Sequence, residues 1–266
     1  MLISVGLGLI VGVILALTGA GGGVLAVPLL VFGIGLRVAD AGPIALLAVG
    51  MAAALGAVLG LKAGTVRYKA ALLMAGTGML SSPFGIGLAN RVDNRGLSIL
   101  FAIVLLLVAY RTFRQAHDRP KGAEQIADRT PPCIRDSDSG RFLWTARCAG
   151  VLALSGGVTG LLSGLLGVGG GFVLVPVLQR YTDLAMQAVV STSLAVIALV
   201  SVSGVVSGAI EGNLNWKIAV PFCAGSLAGM IGGRLMSSRM AGAQLQYGFA
   251  AVSTLVAVVM IGKSIL

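Results

Sequence analysis

Charge is what this chain has least of. Only 11% of its 266 residues are Asp, Glu, Lys or Arg, where a soluble domain carries roughly 25%. Aromatic residues make up 5%, there is one histidine, His117, and there are three cysteines, Cys133, Cys148 and Cys223. With no CxxC pair and no second histidine, the four grouped ligands of a structural zinc site are missing. A disulfide scaffold, a collagen-like fibre, a disordered chain and a soluble enzyme are excluded by the same poverty of charge and cysteine. Nucleic-acid binding is excluded too, because the net charge of +10 is not accompanied by a soluble basic face with aromatic platforms.

What is present is apolar sequence: 57% of residues are hydrophobic and the mean hydropathy is +0.99. The apolar stretches run Leu2–Leu36, Ala41–Leu61, Ala70–Ala89, Leu97–Tyr110, Phe142–Leu178, Leu184–Ile210, Ile218–Leu235 and Leu245–Ile261. They are too long for the ~10-residue strands of a membrane barrel, so the expected class is an all-α polytopic membrane protein. Between the fourth and fifth stretches, residues 111–141 hold Pro131-Pro132, five acids and seven basic residues. This reads as a solvated linker with no apolar face to bury.

The chain also repeats itself. Gly19-Ala20-Gly21-Gly22-Gly23-Val24-Leu25-Ala26-Val27-Pro28 returns as Gly167-Val168-Gly169-Gly170-Gly171-Phe172-Val173-Leu174-Val175-Pro176, 148 residues later. Without a gap, the same offset matches Gly64 to Gly212, Tyr68 to Trp216, Lys69 to Lys217, Gly85 to Gly233 and Arg91 to Arg239. The expected organisation is an N-terminal transmembrane repeat over 1–110, the linker over 111–141 and a C-terminal transmembrane repeat over 142–266. Internal duplication around a central site is a common transporter architecture.

Two stretches are too long to be single helices. Leu2–Leu36 has 35 residues and Phe142–Leu178 has 37. At a rise of about 1.5 Å per residue either would exceed 50 Å, against a hydrocarbon core of about 30 Å. Three glycines followed by Pro28 or Pro176 mark the interruption. Each repeat is therefore expected to have a glycine-broken first helix, or a re-entrant hairpin, followed by three transmembrane helices. A hairpin makes the repeats inverted and a bent helix makes them parallel; the lengths favour the hairpin. Under the hairpin reading fourteen of the 19 basic residues fall on the linker side, which places the 111–141 linker in the cytoplasm.

The glycine motifs carry the candidate chemistry. A helix that begins at Gly21–Gly23 or Gly169–Gly171 leaves N–H groups without intrahelical partners and about half a positive charge at that end. Such ends are ready-made anion sites, and glycine lets a ligand approach the backbone. The candidate substrate-binding residues are Gly19, Gly21, Gly22, Gly23, Gly167, Gly169, Gly170 and Gly171, with the hydroxyls of Ser191, Thr192 and Ser193. Their counterparts in the first half are Pro43, Ile44 and Ala45, so any hydroxyl site is asymmetric. Thr18 is expected to cap the break, and Arg234 to snorkel or to line an access path. Gly156, Gly160 and Gly164 have the spacing of close helix packing. Tyr68 and Trp216, each followed by lysine, read as interfacial anchors. No carboxylate lies mid-membrane to mark a proton relay, so the coupling ion stays open, as does the oligomeric state. No GxxxxGK[ST] nucleotide motif, metal set or nucleophile–base pair is present, so no cofactor and no enzymatic activity are expected.

The doubled GxGGGxxxVP motif, the Gly-x-(Leu/Ile/Val)-x-aromatic-Lys pattern at 64–69 and 212–217, and Ser191-Thr192-Ser193-Leu194 resemble the sulfite exporter TauE/SafE family of membrane permeases. The resemblance covers the whole chain apart from the linker. It implies a multi-pass protein of the bacterial inner (plasma) membrane that moves small sulfur-containing anions such as sulfite or sulfonates. The first half has Ile44-Ala45-Leu46 where the family's threonine-serine-leucine stretch would repeat. A passive anion channel and a non-transporting membrane scaffold are the competing expectations.

Overall fold

The structure is a computed structural model that describes residues 2–19, 21–89, 91–92, 94–117, 133, 145–210, 215–237, 254 and 256–257. The described residues form α1 (Leu2–Thr18), α2 (Gly21–Ile34), α3 (Val38–Lys62), α4 (Tyr68–Ala89), α5 (Asn94–His117), α6 (Ala146–Leu166), α7 (Gly171–Tyr181), α8 (Met186–Ile210) and α9 (Trp216–Ser237). The chain is thus an all-α polytopic membrane protein, with α3, α4, α6, α8 and α9 each apolar and long enough to cross a bilayer. Arg239, Gly212, Asp93, Glu211, most of the linker and most of Leu245–Ile261 lie outside the described residues. α5 runs on through His117, past the expected end of the first repeat at residue 110.

The helix boundaries keep the 148-residue offset. α3 and α8 both have 25 residues, at 38–62 and 186–210. α4 and α9 both have 22, at 68–89 and 216–237. The packing keeps it as well: α1 lies on α9 as α6 lies on α4. Glycines make both contacts. Methyl groups placed on Gly8 and Gly12 would run into the α9 backbone at Phe222 and Ser226, and on Gly156, Gly160 and Gly164 into the α4 backbone at Met74, Gly78 and Ser82. Small residues let the backbones approach where lipid offers no hydrophobic drive.

Strand direction has its helical counterpart here in the order of these contacts. Along α1 and α9 the partners advance together, Gly8 with Phe222 and Gly12 with Ser226 and Met230, so the two are parallel. Along α3 and α8 they run oppositely: Gly50 meets Ser201, Gly56 meets Leu194 and Gly60 meets Ser191. α3 and α8 therefore cross antiparallel. α2 folds back on α1, since Gly22 packs on Val11 and Leu15 while Gly33 packs on Leu7. The long first stretch is a hairpin and not a bent rod.

The lipid-facing surface follows from composition. Leu2, Leu80, Phe84, Leu154, Ile210 and Leu235 are highly exposed. Tyr68 and Trp216 are exposed at the first residues of α4 and α9, where interfacial aromatics belong. On the linker side Cys133 is bonded to Cys148, with a Cα–Cα distance of 5.1 Å. Cys133 also donates its N–H to the Tyr181 carbonyl at 3.2 Å, which seats it against the α7–α8 turn.

Candidate glycine-break site

Each hairpin turns on glycine. Gly19 (φ 72°) and Gly167 (φ 69°) are left-handed, a region that side chains disfavour. Their N–H groups close the preceding helices by donating to Leu15 and Ser163, 2.8 and 2.9 Å away. In the second half Gly169 (φ 75°) and Gly170 (φ 63°) are left-handed too. α7 then starts with Gly170 as its N-cap and no side-chain cap. The Val173 N–H is taken by the Gly170 carbonyl at 3.1 Å, which leaves the N–H groups of Gly171 and Phe172 with no side-chain cap.

The two breaks come together at the centre. A methyl on Gly23 would meet the Val168 carbonyl, and Val49 Cγ1 at 3.5 Å; one on Gly169 would meet the same Val49 Cγ1 at 3.6 Å. Val49 stands midway along α3 (38–62), so the N-terminal regions of α2 and α7 share one neighbour at the middle of the bundle. The structure therefore gathers Gly23, Gly167, Gly169 and Gly170, while Gly22 and Gly170 press on Val11 and Thr159 of their own hairpins. Gly19 sits against Val190. The residues touching the breaks, namely Val11, Leu15, Gly42, Val49, Thr159, Val190, Ile197 and Ser201, carry no charge. Helix ends and the hydroxyls of Thr159, Ser193 and Ser201 supply the polarity described there.

The hydroxyl triad is divided. Ser193 donates to the Gly19 carbonyl at 3.1 Å and to Val190 at 2.8 Å, so it belongs to the first break. Ser191 and Thr192 lie instead at the α3–α4 turn. Ser191 accepts from Thr65 at 3.0 Å and Thr192 accepts from the Arg67 N–H at 3.1 Å. Thr18 donates to the Ile14 carbonyl at 2.8 Å in its own helix. Pro28 and Pro176 lie inside α2 and α7 rather than at the breaks, where each removes one helical hydrogen bond. Arg234 turns inward and donates to the Gly56 carbonyl at 3.1 Å. At the opposite face Arg37 pairs with Asp40 at 2.9 Å. The hydrogen bond, and then the charge of Asp40, raise the Arg37 pKa.

A cavity of about 60 Å³ lies near the face away from the linker, lined by Gly42, Pro43, Leu46, Ile86, Gly167, Gly204 and Gly208 among others. It ends on the second break. Sequence reasoning did not single out Ser201 or Thr159, which are buried next to that break; one hydroxyl in an apolar run carries no local signal.

Comparison with known proteins agrees with a transporter. A family model described as Sulfite exporter TauE/SafE matches residues 4–260. A "Probable membrane transporter protein" of Xylella fastidiosa (strain Temecula1) is 27% identical over 270 residues, covering 99% of this chain and 96% of its own length. "Probable membrane transporter protein YunE" of Bacillus subtilis is 29% identical over 239 residues, 85% of each chain. "Probable membrane transporter protein MJ0441" of Methanocaldococcus jannaschii is 30% identical over 206 residues, 75% of this chain and 69% of its own. No solved structure matches the chain.

Proposed function

The chain belongs to the sulfite exporter TauE/SafE family of membrane transporters, and from that premise we propose that it is a secondary transporter of small sulfur-containing anions, such as sulfite or a sulfonate. The anion binds near the midplane at the N-terminal ends of the broken helices α2 and α7. The halves 1–110 and 142–266 act as inverted repeats, and alternating access comes from one bundle rocking against the other. The protein is not an enzyme, and it sits in the bacterial inner membrane with its 111–141 linker in the cytoplasm.

One observation carries this reading: both helix N-terminal regions pack on Val49, halfway along α3. Two positive helix ends converge there with no charged side chain among the nearest described neighbours, which suits a small anion and no cation. No ATP-binding motif is present, so the membrane potential or an ion gradient must supply the energy. A potential negative inside favours anion export by about 2.3 kcal/mol per charge per 100 mV, so export requires no coupling ion.

The reading is tested by thermal stabilisation of the detergent-purified protein against sulfite, thiosulfate, sulfate, sulfoacetate, taurine and chloride. It expects at least one sulfur anion to stabilise beyond chloride; at 100 times its Kd a ligand adds about 2.7 kcal/mol. The same anion must then show saturable uptake and counterflow in proteoliposomes. Flux that neither saturates nor exchanges would replace the transporter by a channel.

A further inference from the structure

The two breaks are unequal in one respect that the repeat does not predict. Ser201 on α8 is 1% exposed and its hydroxyl has no hydrogen-bond partner. Helical serines ordinarily return the proton to their own backbone, and Ser193, Ser203 and Ser226 do so, each donating to the carbonyl three residues back. Ser201 withholds it. An unpaired buried hydroxyl costs free energy that folding alone does not recover.

The place where it is withheld points to a ligand. A methyl on Gly169 would lie 3.6 Å from Ser201 Oγ, and one on Gly50 3.4 Å from it, so the hydroxyl sits between α3 and the glycine turn that opens α7. That helix has 11 residues and no side-chain cap. Around Gly169 the other contacts are Ile197 and Val49, which offer nothing polar. The cavity approaches this spot from outside and stops short of it: Gly167 and Gly204 line it, without Gly169 or Ser201, and Gly204 is three residues beyond Ser201 on the same helix. At the equivalent position beside the first break stands Ala53, which has no hydroxyl.

Two other buried hydroxyls lack partners, Thr159 and Ser82, and they differ in placement. Thr159 turns its methyl to Gly170, and Ser82 lies at the α4–α6 crossing against Gly164. Neither hydroxyl oxygen is among the atoms nearest the glycines of the break, as Ser201 Oγ is.

We infer that Ser201 is a substrate ligand: its hydroxyl donates to one oxygen of the anion whose charge is held by the first N–H groups of α7. Binding is asymmetric: the second half supplies a side-chain donor besides its helix end, and the first half supplies its helix end alone. The ligand class this fits is a compact oxyanion with at least two acceptor oxygens, a sulfite ion or a sulfonate head. The inference rests on the glycine breaks being an anion site.

The test uses the full chain purified in detergent, titrated with sodium sulfite against sodium chloride at equal ionic strength, and likewise with the sodium salt of a sulfonate. Ser201→Ala keeps the Cβ that packs on Gly50 and removes only the unpaired oxygen, so the ligand-free melting temperature is expected to stay at the wild-type value. The concentration for half-maximal stabilisation is expected to rise about tenfold, the weight of one hydrogen bond to a charged acceptor. Ser82→Ala, which removes a buried unpaired hydroxyl elsewhere, is expected to leave it unchanged. A wild-type response with an unaltered titration in Ser201→Ala would overturn the inference and leave the anion site standing. A large fall in ligand-free melting temperature would also overturn it, by showing that the hydroxyl serves the fold. If chloride stabilises wild type as well as sulfite and sulfonate do, the anion site itself fails and the inference falls with it.

Discussion

The two ends of the α3–α8 pair are built on the same contacts and closed in different ways. At the linker end Gly60 meets Ser191 and Gly56 meets Leu194; at the other end Gly208 meets Pro43 and Gly204 meets Leu46. The linker end adds hydrogen bonds, from Thr65 to Ser191, from the Arg67 N–H to Thr192, from Ser193 to Gly19 and from Arg234 to Gly56. The opposite end has Pro43, Ile44 and Ala45 in place of the triad and Ile86 in place of Arg234, and Pro43 and Ile86 line the cavity there. Polar groups withdrawn from water form strong bonds, so the linker end is latched by them while the α3–α8 contacts described at the opposite end, Gly208 on Pro43 and Gly204 on Leu46, are apolar. Under the proposed alternating access, this handful of side chains is what would hold one end shut while the other opens.

The sharpest way to break the comparison is at the hairpin turns. Gly167→Ala forces a left-handed alanine into the Gly42 backbone, whereas Gly19→Ala drives it against the Val190 side chain at 2.7 Å. Backbone cannot yield as a side chain can. We expect Gly167→Ala to lose about 2–5 kcal/mol and Gly19→Ala about 1–2 kcal/mol, read as thermal unfolding in detergent.

Next in size is Arg234→Met. Losing a hydrogen bond from a charged donor should loosen the linker end by about 1.5–3 kcal/mol. A cysteine at Leu194, which is 1% exposed, introduced into a chain lacking Cys133, Cys148 and Cys223, should then react with thiol reagents at least tenfold faster. Unchanged labelling would mean that Arg234 does not hold that end shut.

Thr192→Val keeps the shape and deletes the acceptor for the Arg67 N–H. The same labelling should rise only several-fold, for about 0.5–1.5 kcal/mol.

The smallest effect concerns which end faces which compartment. Disulfides are rare in the cytoplasm, so a cytoplasmic linker predicts Cys133 and Cys148 as free thiols in growing cells, alkylated by permeant reagents, and joined after oxidation of the purified protein. Finding them joined in cells would place the linker on the other face and exchange the compartments assigned to the two ends.

Much of this arrangement is legible before any coordinates. A 35-residue apolar stretch cannot be one spanning helix, and it is not: it splits at Gly19 into α1 and α2. Gly156, Gly160 and Gly164 read as packing positions because their spacing of four places them on one helix face, and they meet α4. Register between distant helices is not written locally. Ser191 and Ser193 are two residues apart, yet the antiparallel crossing carries one to Gly60 and the other to Gly19. Pro28 reads as a helix breaker, yet α2 continues past it to Ile34, because a single lost bond is tolerated in a packed hairpin. Ser201 has no local mark at all; only the fold shows that its proton goes nowhere.

The neutral lining of the breaks has a final consequence. A helix end owes its field to peptide dipoles, which neither gain nor lose protons. Among the described residues, the side chains nearest Gly19, Gly22, Gly23, Gly167, Gly169 and Gly170 do not titrate, so at the proposed anion site acidity finds no handle among the nearest neighbours. The dependence of binding on pH should therefore trace the ionisation of the passenger and not that of the carrier.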